Sequence, residues 1–162
     1  MSEALVEDAK DIIEYLKLVG SETNNLTFGK DIKINEFEEA SFIQEIIDSE
    51  KNVMLLGFVE DKIVSVGSLT TSSSKRLDHH TNLGISVLKE YWHMGIGKMM
   101  VEELIDYAKN HKIEIIDLEV KADNVNAISL YKKLGFKEFG YYKDYFKIDN
   151  EYFDAVYMSL YL

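Results

Sequence analysis

Two stretches in the second half of the chain set polar and very small residues where chemistry could use them. In LGISVLKEYWHMGIGKMMVEELIDYA, residues 83–108, an apolar run leads into a Gly-x-Gly loop that opens a helix. With Gly95 and Gly97 no side chain covers the helix N-terminus, so a phosphate can reach bare amide N–H groups at the positive end of the helix dipole. The same two glycines also read as a flexible helix start and nothing more. In LEVKADNVNAISLYKKLGF, residues 118–136, Glu119 falls near the end of an apolar strand, Asn124 at the mouth of the next helix, and Tyr131 two turns into it. An acid in such a strand is unusual, and burial would lift its pKa toward the range useful for proton transfer. An outward-facing strand position is the plain alternative for Glu119. For Tyr131 it is a core position, since Ala127, Ile128 and Leu134 share its helix face.

Composition removes several other chemistries. Cysteine is absent, which excludes disulfide frameworks, Cys-ligated zinc, iron–sulfur clusters and any covalent Cys mechanism. Four histidines remain, and His79 and His80 are adjacent, so on a strand they are expected to point to opposite faces and not share a metal. No metal site is expected. The net charge is −11, from 29 acids against 18 bases, a field that repels nucleic acid and anionic lipid and attracts a cationic amine or basic peptide. Residues 1–80 hold 16 acids and 8 bases while residues 81–162 hold 13 and 10, so the second half suits an anionic ligand better. No run approaches the roughly 18 to 20 apolar residues of a membrane span, and MSEALVEDAKD is acidic where a signal peptide is basic. The expectation is a soluble, cytoplasmic protein.

The elements that must position these residues follow from periodicity. At 162 residues, 46% of them hydrophobic and with no proline or repeat, a single domain over residues 1–162 is expected, able to bury roughly 70% of its unfolded surface. A helix is predicted over residues 7–19 from Ile12, Ile13, Leu16 and Val19, ended by Gly20, and a second over 36–48 from Ile43, Ile46 and Ile47. Asn35 followed by Glu38 reads as an N-cap with its reciprocal acid. A hairpin breaks at Glu60-Asp61-Lys62, a third strand covers 81–88, and a helix follows the glycine loop, with Ile96, Met100, Leu104 and Ala108 at helical spacing. Strand 113–120, a helix from Asn124 to Leu134 stopped by Gly135, and two aromatic strands turning near Asp149-Asn150 complete a mixed α/β (α+β) layer fold.

Asn124 through Phe136, in the pattern N-x-x-A-I-x-L-Y-x-K-x-G-F, resembles the closing signature of the GNAT superfamily, the acyl-CoA-dependent N-acetyltransferases. ISVLKEYWHMGIG resembles that superfamily's acetyl-CoA pyrophosphate loop, in the right order and at a plausible separation. The resemblance is strong over residues 79–162; over 1–78 only the order of helices and hairpin agrees. Two departures stand out. The loop usually begins with Arg or Gln, then x, x, Gly, x, Gly or Ala, and here those positions read Trp92, His93, Met94, Gly95, Ile96, Gly97. The family's first strand is also nearly absent.

The resemblance implies a central, mostly antiparallel sheet splayed in the middle, with helices on both faces and acetyl-CoA as co-substrate in the opening. Backbone groups of Ile85, Ser86 and Val87 would pair with the pantetheine, the amides of His93, Met94, Gly95, Ile96, Gly97 and Lys98 would hold the pyrophosphate, and Asn124 would meet the pantetheine arm. Without cysteine, direct attack of a primary amine in a ternary complex is the simplest route. By position in the motif Tyr131 is the acid that protonates the thiolate, and Glu119 resembles the strand glutamate that serves as base in N-terminal acetyltransferase branches. His79, just ahead of the strand entering the cleft, is the rival base. Lys98, Lys132 and Lys133 are candidates for phosphates, and Tyr141, Tyr142, Tyr145 and Phe146 for a pocket wall.

The acceptor expected is a small cationic amine or a basic peptide N-terminus, with self-association as a homodimer left open. Two other functions compete. A dinucleotide-binding oxidoreductase would use Gly95, Gly97 and Glu119, but its third glycine position is Met100, and Leu88 stands too far from Gly95 for an immediate turn. The second is a catalytically silent module that binds or senses CoA.

Overall fold

The computed structural model describes all residues, 1–162. Chain order is β1 (Ser2–Glu3), α1 (Ala9–Glu22), α2 (Glu36–Ile47), β2 (Val53–Val59), β3 (Lys62–Thr71), β4 (His80–Val87), α3 (Ile96–Asn110), β5 (Ile115–Lys121), α4 (Val125–Lys133), β6 (Lys137–Ile148) and β7 (Glu151–Tyr161). The strands form one seven-stranded sheet in the order β1-β2-β3-β4-β5-β7-β6. Every pairing is antiparallel except β4 with β5. β1 is two residues long, in keeping with the near-absent first strand of the sequence.

The one parallel pairing decides the shape of the site. β4 and β5 are joined only where His80, Thr81 and Asn82 face Ile115, Ile116 and Asp117. Beyond that, β4 stays with β3 to Ser65↔Val87 and β5 stays with β7 to Lys121↔Ala155, so the two strands part and leave a V. The splayed, mostly antiparallel sheet expected from the resemblance is therefore present.

The helices divide between the two faces. Met100, Val101, Leu104 and Ala108 of α3 pack with Leu69, Leu83, Ile116, Leu118 and Tyr131 on one face. A side chain at Gly67 would meet Met100 Cγ at 2.6 Å, so α3 lies directly on the backbone of β3. On the other face Ile12, Val19, Ile43 and Ile46 of α1 and α2 pack with Met54, Leu56, Val64 and Val66. Because both faces of β2 and β3 are covered, Val53 through Leu56 are buried in succession, without alternation.

Local signals are obeyed where a backbone group needs them. Asn35 Oδ1 accepts from Glu38 N–H and Glu38 Oε2 accepts from Asn35 N–H, the reciprocal cap expected at the start of α2. Both hairpins turn through two left-handed residues, Glu60-Asp61 and Asp149-Asn150.

Two expectations fail locally. α1 does not stop at Gly20 but continues to Glu22; the missing side chain serves packing, since a Cβ there would lie 2.7 Å from Gly29 O. In α2, Ile47 is exposed and the third member of the buried stripe is Glu39.

Candidate active site

A cavity of about 1020 Å³ runs through the V between β4 and β5. One lobe is bordered by the starts of α3 and α4, and the other by α1, α2 and the segment 23–34 that joins them.

The first lobe begins at the glycine loop. After the short 3-10 turn Lys89–Tyr91, Trp92 N–H donates to Lys89 O; the next amide with a protein partner is Met99, which donates to Gly95 O. The N–H groups of His93, Met94, Gly95, Ile96, Gly97 and Lys98 therefore donate to no backbone carbonyl. His93 and Gly95 are left-handed, at φ 62° and 84°, which curls these amides around a concavity of the kind that binds anions. Nothing lies within 4 Å of a Cβ built on Gly95, and one on Gly97 would only touch Leu130, Val87 and Ile85 at 3.8–4.0 Å. Protein packing does not require these glycines; the backbone at φ 84° favours glycine at Gly95, and the space above both is open.

Side chains of the loop behave differently from its amides. Met94 points to solvent and Ile96 packs against the α1/α2 core, so both can serve only through the backbone. Lys98 pairs with Glu102 at 3.3 Å and Lys132 with Glu138 at 2.7 Å, on exposed surfaces. Trp92, in place of the Arg or Gln expected there, donates its indole N–H to Val87 O at 2.7 Å.

The free edge of β4 is narrower than expected. Leu88 N–H donates to Val64 O, and antiparallel alternation then commits the backbone of Ser86, opposite Val66, to β3. Only the odd residues turn their backbone groups toward the gap. Ile85 and the N–H of Val87 thus remain as an edge for an extended ligand, the Val87 carbonyl already accepting from Trp92, and Ser86 does not; its hydroxyl accepts from Tyr15 O–H at 2.9 Å.

Across the gap stand three more of the expected residues. Asn124 caps α4 through Ala127 N–H at 3.3 Å and borders the cavity. Tyr131, 6% exposed, lies with its ring tilted against Phe136; its hydroxyl has no protein partner. Burial pushes the phenol well above its usual range, so it stays protonated. Glu119 borders the same cavity opposite Tyr157 of β7, but its side chain is exposed and not buried as the apolar strand suggested.

Other candidates fall outside. His79 precedes β4 at the closed end of the V, where its carbonyl accepts from Glu114 and Ile115 N–H; it does not border the cavity. Nor do the adjacent histidines diverge: their rings touch edge to face with centroids 4.2 Å apart, and His80 Nδ1 lies 2.9 Å from Asp117 Oδ2. No group of three or more His, Asp or Glu side chains is arranged to hold a metal ion. Tyr141, Tyr142 and Tyr145 are exposed on the closing hairpin and Phe146 is buried, and none borders the cavity.

The second lobe was not legible in the sequence. Phe28, Ile32, Ile34 and Phe42 give it apolar walls, with Lys33, Ser68, Glu38 and Glu39 among its polar members. The one available signal was an acid at residue 39, four and seven positions before Ile43 and Ile46, where helical periodicity calls for an apolar side chain.

Comparison with known proteins points one way. The pattern of the Acetyltransferase (GNAT) family matches residues 22–136. The ribosomal protein bS18 alanine N-acetyltransferase of Salmonella typhimurium is 36% identical over 84 residues, spanning 52% of this chain and 57% of that protein. The chain thus covers little more than half the length of that relative. A crystal structure of a GNAT-family acetyltransferase from Streptococcus pneumoniae superposes with a TM-score of 0.96 over 99% of this chain and 98% of that one, at 29% identity. A phosphinothricin acetyltransferase from Sinorhizobium meliloti, solved with acetyl-CoA, shares the fold at a TM-score of 0.83 over 99% and 86% of the two chains, with 17% identity.

Proposed function

The chain belongs to the acetyltransferase (GNAT) family, and from that premise we propose that it moves an acetyl group from acetyl-CoA to a primary amine by direct attack in a ternary complex. The observation that carries this is a single cavity bordered by the bare-amide loop, the free edge of β4, Tyr131 and Glu119. The loop amides from His93 to Lys98 hold the pyrophosphate, and the backbone groups of Ile85 with the N–H of Val87 align the pantetheine arm as an added strand would. Asn124, at the head of α4, borders that arm.

Glu119 takes the proton of the acceptor ammonium, directly or through a water, since its carboxylate is open to the cavity. The amine nitrogen then bonds to the thioester carbonyl carbon, the C–S bond breaks, and the nitrogen loses its second proton to solvent as the amide forms. Tyr131, kept protonated by burial, gives its proton to the departing thiolate and regains one from solvent. With no cysteine in the chain, there is no thiol for an acetyl-enzyme, which favours the direct route. The acidic first half of the sequence favours a cationic acceptor, a small amine or a basic peptide N-terminus.

Release of free thiol from acetyl-CoA is the test, with polyamines, aminoglycosides, amino acids and basic peptides as acceptors. Amine-dependent release supports the proposal. Binding of acetyl-CoA with no turnover of any amine would make the protein a silent CoA-binding module, and stabilisation by NAD but not acetyl-CoA would remove both readings.

A further inference from the structure

Helix α2 buries one stripe, and a member of that stripe is an acid. Glu39, Ile43 and Ile46 follow one another along the face turned to the sheet, and Ile43 and Ile46 enter the α1/α2 core. Glu39, 4% exposed, borders the second lobe of the cavity instead. Its carboxylate has neither a hydrogen-bond donor nor an ion-pair partner in the protein, and burial alone acts on it, pushing its pKa up. Glu38 differs, because its carboxylate is already engaged in the cap with Asn35.

Stability does not explain a glutamate here. A buried, unpaired carboxylate is costly, and an apolar side chain of similar size would complete the stripe. Its place in the first two turns of α2 lets the helix dipole support the charged form, but leaves the charge without a partner. Phe28, Ile34 and Phe42 give the lobe apolar walls, Lys33 there is exposed, and of the three acids that border the cavity Glu39 alone is buried, so a cation entering the lobe meets a carboxylate already withdrawn from bulk water. α2 packs over β2, and β5, which carries Glu119, lies three strands away in the sheet. The two carboxylates therefore stand on separate walls of one cavity.

We propose that Glu39 is a specificity-determining residue that binds a second cationic group of the acceptor, an alkylammonium or guanidinium, joined by an extended spacer to the amine acetylated beside Glu119. This rests on the acetyltransferase reading above. A dicationic acceptor would neutralise both acids at once, whereas a simple alkylamine would leave Glu39 unpaired.

The test compares thiol release from acetyl-CoA with α,ω-diaminoalkanes of increasing length, the matching n-alkylamines, and peptides carrying lysine or norleucine near a free N-terminus. For the wild type, kcat/KM for the dicationic member of a pair is expected to exceed that for the monocationic member by about tenfold or more, rising with spacer length until the lobe is spanned. Glu39→Gln should collapse this ratio toward one, chiefly through KM. Preference within the peptide pair alone assigns the second cation to a peptide side chain, and preference within the amine pair alone assigns it to a small polyamine; both support the inference. Equal efficiency for both members of every pair, or a ratio unchanged in Glu39→Gln, overturns it while leaving acetyl transfer standing. Thiol release with no amine at all overturns the acetyltransferase reading and the inference together. Glu39→Leu separates a structural role: a higher melting temperature is expected, and a lower one with the ratio intact would mark the acid as structural.

Discussion

The indole N–H of Trp92 donates to the carbonyl of Val87 at 2.7 Å, tying the first residue of the glycine loop to the last residue of β4. The family pattern described above places a guanidinium or amide here, able to meet phosphate directly. In this chain the residue instead fixes where the loop amides sit relative to the free strand edge. Replacing Trp92 by Phe keeps most of the apolar bulk and removes the donor, a loss of about 1 kcal/mol of loop anchoring. Acetyl-CoA affinity measured by titration calorimetry should fall about fivefold with little change in secondary structure. Affinity equal to wild type would mean that the loop holds its shape without this bond.

Gly97 separates ligand contact from protein packing. A methyl group at this site meets only ordinary contacts at 3.8 Å, so Gly97→Ala should fold normally while binding acetyl-CoA more weakly. Gly97→Asp adds a negative charge beside the pyrophosphate position and should weaken binding by about tenfold or more. Gly95 is a poorer probe, because at φ 84° any side chain also strains the backbone.

Tyr131→Phe removes one oxygen that makes no hydrogen bond in the protein and leaves the ring packed against Phe136. Little change in melting temperature is expected, with kcat lower by about 10²-fold and acetyl-CoA affinity nearly kept. Glu119→Gln should also depress turnover at neutral pH and recover much of it at high pH, where the amine deprotonates unaided. Wild-type rates for Tyr131→Phe would reject the acid assignment.

Glu39 makes stability depend on pH with a definite sign. Its folded pKa is raised by burial, so the protonated form favours folding; that contribution is complete below the unfolded pKa and is lost as pH rises through the folded value. Lys33, Glu38 and Glu119 are further charged groups on the same cavity, so the comparison has to be with Glu39→Gln and not with pH alone. The variant should melt above the wild type at neutral pH, and the gap should close as pH falls below about 4. A gap that widens on acidification would show the carboxylate to be paired in the folded state.

Gly20 sets the wall of the second lobe. Gly20→Ala would place a methyl group 2.7 Å from Gly29 O and push the 23–34 segment away from α1, costing about 1 to 3 kcal/mol by overpacking. Acceptor KM should rise more than acetyl-CoA KM, because this segment lines only the second lobe. Equal effects on both would show that the two lobes move as one.

The chain by itself determined the elements and the glycine-loop side of the cavity, because those depend on local rules. Periodicity placed Met100, Leu104 and Ala108 on one helix face, the Asn35–Glu38 cap and Asp149-Asn150 turn are short-range hydrogen-bond and dihedral choices, and the loop and the Asn124–Phe136 signature are contiguous. Tertiary structure decided what depends on residues far apart in sequence. Which β4 backbone groups are free follows from pairing with β3, so Ser86 leaves the set and Ile85 and Val87 stay. Whether Glu119 is buried depends on what covers its face of β5, and at this position the face opens into the cavity while Lys121, two residues on, is buried. His79 is near the cleft strand in sequence but at the closed end of the V in space, since a strand carries its two ends far apart. Glu39 and the 23–34 segment share a cavity with Glu119 only because α1 and α2 fold over β2 and β3 while β4 and β5 part. A cavity is the space left between distant segments, and no local pattern of side chains encodes it.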